Sequence, residues 1–495
     1  MNEQAPSRRA TYLLLAAILA LTFAVYAPTL RYAFVYDDHA QLQENPWLRS
    51  WQHLPDYFTQ RTWAHLPVAA TYYRPLFMVW MNANFWLFGE REWAWHLSTV
   101  LTHVLATFLA FVLARRLTGD APTALIAAAI FGLHPAHIEA VAWIAGVTEP
   151  LLFVFFAAAW ICELKSAQGR SVWLVLSWVL YAAALLMKET AIVLPVLIYA
   201  YRLAEARDFR KAAMRVAPFV LVAVAYLALR THVLHRFAQP LQQVTNLQIL
   251  LSAPSLLWFY ISHLLLPLNL SGFYDLPIVS SCGIKGVLLP SVALMACSLL
   301  AVIVARRGRN SPELMAAVVS CLLLVVLPLI PVLNLRVLQQ YNFAHDRYLY
   351  LPSFGLAVLV AIAVARLPKA KFVLGFAVIA LAVGVVLQEG LWHDDGTLYL
   401  DGIRNAPGNP VPAANLAAIL VRLHRYDDAM KILTPALAKT PDVWALYSNL
   451  ADCYAGMGDP AKAEGLYLQA YRLYPDYRFL ERAAAMHDLA LGKRP

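Results

Sequence analysis

The sequence predicts an all-α, polytopic membrane protein of about 11 transmembrane helices with a C-terminal helical-repeat domain. Composition is the first observation behind this: of 495 residues, 61% are hydrophobic and only 14% charged, with mean hydropathy +0.57. Soluble domains average about 25% charged residues. The second is the recurrence of apolar runs of roughly 18 residues or more, the length that crosses the hydrocarbon core as a helix. The third is a change after residue 395, where the apolar runs stop and a 34-residue period begins.

Taken in order, the first run (about 11–30) follows Arg8 and Arg9 and lacks a small-residue cleavage site, so a retained anchor is expected in place of a signal peptide. Further spans are expected at about 93–114, 121–138, 149–163, 172–187, 190–203, 216–231, 285–305, 313–333, 350–365 and 372–390. The segment 248–272 is apolar but precedes no basic loop until Arg306, and is read as a re-entrant or surface-lying helix. The +9 net charge is dispersed over short loops: Arg115-Arg116, Lys165 and Arg170, Arg202 to Arg215, Arg306 to Arg309, and Arg366 to Lys371. That is the positive-inside pattern, so the basic balance reports orientation and not a nucleic-acid partner. It places the N-terminus in the cytoplasm, and the loop 31–92 and everything after Trp392 outside. Five cysteines without CxxC spacing suggest neither a zinc site nor a disulfide framework.

The two domains are thus a membrane domain over 1–392 and a repeat domain over 393–495. In the latter, Pro407, Pro441 and Pro475 are spaced by 34, as are Asn415 and Asn449, Ala429 and Ala463, and Ala436 and Ala470. Small residues where helices cross, with a proline closing each unit, are the tetratricopeptide pattern. Repeats are expected at about 410–443 and 444–477.

Ionisable groups at a membrane edge are costly, about 3 kcal/mol or more at mid-bilayer, and so tend to mark function. The assumed topology puts five clusters on the outer side. Asp37-Asp38 offers a base, or alternatively a solvated loop start or helix cap. Arg74, after two tyrosines and before Pro75, suits a phosphate or carboxylate, while the tyrosines alone would serve as interfacial anchors. His134, His137 and Glu139 could hydrogen-bond a phosphate or sugar, hold a metal, or simply pack; a metal is not expected, since no further ligand is evident. Lys188-Glu189 sits where one span turns into the next, with Lys188 a phosphate counter-charge or a snorkelling side chain. Asp346-Arg347, heading a span beside tyrosines, reads as a lipid-headgroup site or a structural ion pair. His96 and His103 read as helix-packing histidines.

The ordered set FVYDDHAQLQENP, YYRPLF, WHLSTVLTH, HPAHIEAVAW, KETA, PLNLS and DRYLYLPS, followed by the repeats, resembles the transmembrane and tetratricopeptide repeat-containing mannosyltransferases and their prokaryotic relatives, within the C-type glycosyltransferases. The resemblance implies a C-type glycosyltransferase fold, an extracytoplasmic site, a polyprenyl-phosphate-linked sugar as donor, and no required cofactor. It carries the catalytic acid pair onto Asp37 and Asp38, one of them the base, with the first preferred over the second. Phosphate-binding groups would then be Arg74, Lys188 and Arg347, with His134 or His137 donating hydrogen bonds and Glu139, Glu189 and Asp346 beside them. The partners implied are the bilayer and a protein or glycan acceptor engaged by the repeats, and the compartment a bacterial inner membrane. A lipid-diphosphate glycan ligase or polymerase, and a non-enzymatic repeat-bearing scaffold, are the competing readings.

Overall fold

The computed structural model describes residues 7–66, 72–167, 169, 171–238, 240–307, 311–365 and 370–492. Of the basic loop residues, Arg170, Arg309, Arg366 and Lys369 lie outside these. Among the described residues there is no β-strand, only an isolated bridge between Gln339 and Asn342. The chain forms two compact units, one comprising 1–270, 278–338 and 346–390, the other 271–277, 339–345 and 391–495.

The first unit is an integral membrane bundle. Among the described residues, eight helices are long and apolar enough to span a bilayer, and a bent pair, Ala121–Gly132 and Pro135–Ala142, makes a ninth. Three of the eleven expected spans fall short of this measure among the described residues: Ser171–Met187 has 17 residues, Leu194–Ala206 has 13, and Ile284–Leu299 is likewise one of the shorter apolar helices. Segment 246–265, for which a re-entrant or surface-lying helix is expected, is one continuous 20-residue helix whose length and apolar composition also suffice for a span. Thr245 and Gln248 start it with a reciprocal capping box, and Pro254 lies within it without ending it. Asp120 and Asp208 cap other helices by accepting from the Thr123 and Lys211 N–H groups at 2.9 and 3.0 Å.

Helices with no polar face are buried on all sides, and the central ones here are of this kind. Thr148–Ser166 packs along Ser171–Met187 and against Glu92–Thr118, while Tyr350–Ala365 packs against Pro312–Val326 and Ala121–Gly132. Phe131, Phe153, Tyr350 and Phe354 interlock at their centre with ring separations of 4.6 to 6.1 Å. Small residues set the spacing: a Cβ on Gly355 would lie 2.6 Å from the Cys321 carbonyl oxygen of the neighbouring helix. Because that obstacle is backbone, Gly355→Ala is expected to lose about 1–3 kcal/mol of stability. Thermal unfolding in detergent would show it, and an unchanged midpoint would remove the close approach as a constraint.

Segment 31–92 is itself packed. Phe34, Leu42, Leu48, Tyr57, Phe77 and Met81 form a small core together with Trp95, Ile144 and Met187. This core fixes the loop that carries Asp37 against the turns at 144–147 and 188.

The second unit is the repeat domain. Helices Val411–Arg422 and Tyr426–Lys439 form one antiparallel pair, Trp444–Gly456 and Pro460–Leu473 the next, and Tyr477–Ala490 follows. The 34-residue spacing has its reason here. Ala429, Ala463 and Ala470 are buried where helices cross, and Asn449 Nδ2 donates to the Ala414 carbonyl at 2.7 Å, tying successive pairs. Asn409 Nδ2 donates to the Tyr274 and Tyr341 carbonyls, which explains why 271–277 and 339–345 belong to this unit.

Candidate functional site

The two adjacent aspartates have different surroundings. Asp38 is fully buried, and its carboxylate accepts the Val35 N–H (3.2 Å) and the Ala145 N–H (3.0 Å). It ties the turn after the first span to the turn before Thr148–Ser166. Asp37, half-buried, accepts no hydrogen bond among the described residues and feels the positive charge of Arg347. Burial pushes Asp37 up to about 6, with Arg347 pulling the other way. Burial pushes Asp38 further, to about 8, against the two N–H groups it accepts. Tyr36 holds a left-handed backbone, φ +56°, which costs a non-glycine residue about 1–3 kcal/mol. Its ring meets Trp143 at 5.8 Å, and the Arg347 guanidinium lies 5.1 Å from the same indole. The strained turn therefore sets Tyr36 against the same indole that Arg347 covers, with Asp37 next in the chain.

Beside this turn lies a cavity of about 310 Å³. Arg74, Lys188, Arg230 and Arg347 are its cations, Glu149 and Glu189 its carboxylates, and Tyr72 and Tyr348 its aromatic walls. Leu227, Pro328, Val332, Val337, Leu338 and Leu351 line the rest, so one part is ionic and the other hydrocarbon. Each position follows from its element. Pro75 starts a helix immediately after Arg74; Lys188 and Glu189 occupy the break between Met187 and Leu194; Arg347 sits in a single helical turn ahead of Tyr350.

The cations are pinned by acids far away in sequence. Arg74 makes a two-pronged contact with Glu189, Nη2 to Oε1 at 2.9 Å and Nε to Oε2 at 3.3 Å, and stacks 4.4 Å over Tyr72. Burial opposes the Glu189 charge, but Arg74 overrides it and holds the carboxyl at about 2. Lys188 pairs with Glu149, both almost fully buried, and its ammonium lies 5.2 Å from the Tyr348 ring. Burial lowers the Lys188 pKa, Glu149 opposing. Arg347 pairs with Glu139, whose other oxygen accepts the Arg347 backbone N–H at 3.0 Å. Breaking such buried pairs by removing one partner costs about 3–5 kcal/mol.

The structure thus brings Arg74, Lys188, Glu189 and Arg347 to one cavity, with Asp37 in electrostatic reach of Arg347. It does not bring the histidines there. His134 Nδ1 accepts the Ala136 N–H (3.2 Å), so Nε2 carries the proton and donates to the Leu264 carbonyl at 3.0 Å. His137 bonds the Ser353 hydroxyl (2.6 Å) and packs 4.3 Å from the Tyr350 ring. Both hold the bend at Pro135, since an imidazole here satisfies buried groups that the break in the helix exposes. Asp346 pairs with His263 Nδ1 at 2.8 Å and is absent from the cavity lining. Among the described residues no three His, Cys, Asp or Glu side chains gather as ligands for a metal ion. Glu149, the partner of Lys188, and Arg230 escaped sequence reasoning, although Glu149 stands in a Thr-Glu-Pro helix start that marks a buried acid only once Lys188 faces it.

Residues 73–235 match the family model for dolichyl-phosphate-mannose-protein mannosyltransferases, and residues 420–485 match a tetratricopeptide repeat model. The chain is similar to Protein O-mannosyl-transferase Tmtc1 of Drosophila melanogaster, 34% identical over 36% of this chain and 21% of that one. It is also similar to Protein O-mannosyl-transferase TMTC3 of Mus musculus, 24% identical over 92% of this chain and 54% of that one. It therefore spans about half the length of the mouse relative. Among solved structures, ArnT from Cupriavidus metallidurans bound to undecaprenyl phosphate aligns over 94% of this chain and 80% of that one, with 16% identity and a TM-score of 0.43.

Proposed function

We propose that this chain is a membrane glycosyltransferase that moves a sugar, with inversion, from a polyprenyl-phosphate carrier to a hydroxyl acceptor at the extracytoplasmic face. The observation that carries the reading is the cavity itself. Four cations from distant parts of the chain, three of them paired with glutamates, share its walls with aliphatic side chains. A lipid phosphate has this composition: a charged head on an apolar chain. The similarity to proteins named protein O-mannosyl-transferases supports mannose as the sugar and a Ser or Thr hydroxyl as the acceptor.

A hydroxyl proton, with a pKa far above neutral, must go to a base as its oxygen attacks the anomeric carbon. Asp37 is the carboxylate without other hydrogen bonds and takes that proton. Asp38, with both oxygens committed to backbone, positions the turn. As the bond from carbon to phosphate oxygen breaks, a second negative charge develops on the leaving phosphate. Arg347, Lys188 and Arg74 face that charge already oriented by Glu139, Glu149 and Glu189, so little reorganisation accompanies its formation. Two acidic partners in the cavity wall also hold the cations in place when no anion is present.

The test is incubation of the purified chain with polyprenyl-phosphate mannose and a peptide rich in Ser and Thr. The expected products are mannosylated peptide and free polyprenyl monophosphate in equal amounts. Transfer only from diphosphate-linked glycans, with release of the diphosphate, would overturn the reading in favour of a ligase. No turnover with either donor, in a chain that retains its fold, would favour a scaffold.

A further inference from the structure

We infer a second lipid site, unconnected with sugar transfer, at the opposite end of the first span: a pocket for the headgroup of an anionic phospholipid. The helices Arg8–Tyr26 and Glu92–Thr118 run antiparallel. Tyr26 contacts His103 at one level (rings 5.0 Å apart), while Tyr12 and Leu15 share a pocket with Phe108, Phe111, Arg115 and Arg116 at the other. That pocket has a volume of about 550 Å³, within the range of small-molecule sites. Its floor is hydrocarbon, with Leu15 and Phe111 buried, and its mouth carries two exposed guanidinium groups.

Neither Arg115 nor Arg116 pairs with an acid among the described residues. This contrasts with Arg74, Arg202, Arg215 and Arg347 of the same bundle, each of which holds a glutamate. The acid nearest in sequence, Asp120, is spent on capping the next helix through the Thr123 N–H and hydroxyl. Arg8 and Arg9, one turn before Tyr12 on the same side of their helix, are likewise exposed and pair with no acid among the described residues. Gly119, in the left-handed conformation at φ +71°, turns the chain away just beyond Arg116. Charge complementarity therefore selects the occupant. Two arginines on an apolar slot between two spans, with Arg8 and Arg9 one turn before Tyr12, take a phosphate headgroup whose acyl chains continue along the helices. In the orientation argued from the basic loops, this is the cytoplasmic leaflet, where anionic lipids attract such clusters.

The experiment is native mass spectrometry of the full chain extracted in mild detergent, with phosphatidylglycerol or phosphatidylethanolamine added at equal concentration. One phosphatidylglycerol molecule should be retained by the wild type, and the double variant Arg115→Gln/Arg116→Gln should bind it about thirty-fold more weakly. Both side chains are exposed, so the variant should fold, and an unchanged thermal midpoint in detergent verifies this. A matched variant at exposed basic residues elsewhere, Lys431→Gln/Lys462→Gln in the repeat domain, should retain the lipid like wild type. Equal retention of phosphatidylethanolamine, or undiminished phosphatidylglycerol binding by the double variant, would overturn the site and leave only annular lipid.

Discussion

Asp37→Asn is expected to lower sugar transfer by about two to four orders of magnitude, the usual contribution of a positioned base, while leaving thermal stability near wild type. The side chain accepts no hydrogen bond among the described residues, so an amide of equal size disturbs nothing but proton transfer. Its neighbour provides the contrast. An amide at Asp38 cannot accept from both the Val35 and Ala145 N–H groups, and its own N–H₂ would face one of them. Asp38→Asn should therefore lose about 1–3 kcal/mol of stability as well as activity. The pH profile separates the roles further. A base acts when ionised, and burial raises the Asp37 pKa to about 6. The rate should thus be flat above that value and fall about tenfold per unit below it, as protonation removes the base. Full activity of Asp37→Asn, or a profile flat through pH 6 down to 4.5, would take Asp37 out of the reaction.

Arg347 supplies the second large effect. Arg347→Met leaves Glu139 buried without its cation, which should cost about 3–5 kcal/mol of stability in addition to transfer activity. Glu139→Gln in the same chain removes the stranded charge and should restore much of that stability. It should not restore activity, because the leaving phosphate would still lack a cation. Thermal unfolding and single-turnover transfer, measured on both variants, distinguish the enzyme from a scaffold. In a scaffold the double variant recovers everything measurable; in an enzyme it recovers only the fold. A double variant with wild-type turnover would remove Arg347 from the donor site.

These effects depend on contacts of very different legibility in the sequence. Arg347 and Glu139 are 208 positions apart, Arg74 and Glu189 115 apart, and neither pairing has a local signature. Arg74, Lys188 and Arg347 themselves were legible, unlike Arg230, because each stands in a polar cluster beside an apolar run. The histidines illustrate the converse. His134 and His137 share a spacing that invites a ligand, but in the folded chain three of their four nitrogens face a carbonyl, a backbone N–H and a serine hydroxyl around a bent helix. Nothing in a three-residue spacing distinguishes a group aimed at substrate from one completing the hydrogen bonds of a kink.

The 246–265 helix shows what the charge pattern cannot supply. No basic loop separates it from the next apolar run, so the basic loops give it no orientation. The capping box at Thr245 and the continuation past Pro254 make it one helix, apolar and long enough to span.

By itself, the amino-acid order determined that this chain is helical, lives in a membrane and ends in tetratricopeptide repeats. These properties are periodic or additive: hydropathy sums over about 20 neighbours, and alanines recur wherever equal helices cross. Only the tertiary structure decided that Asp38 is bound to backbone while Asp37 is not, that Arg74, Lys188 and Arg347 each have their own glutamate, and that the histidines belong to the core. Such roles depend on which groups desolvate one another across hundreds of residues, and burial and pairing exist only once the helices have packed.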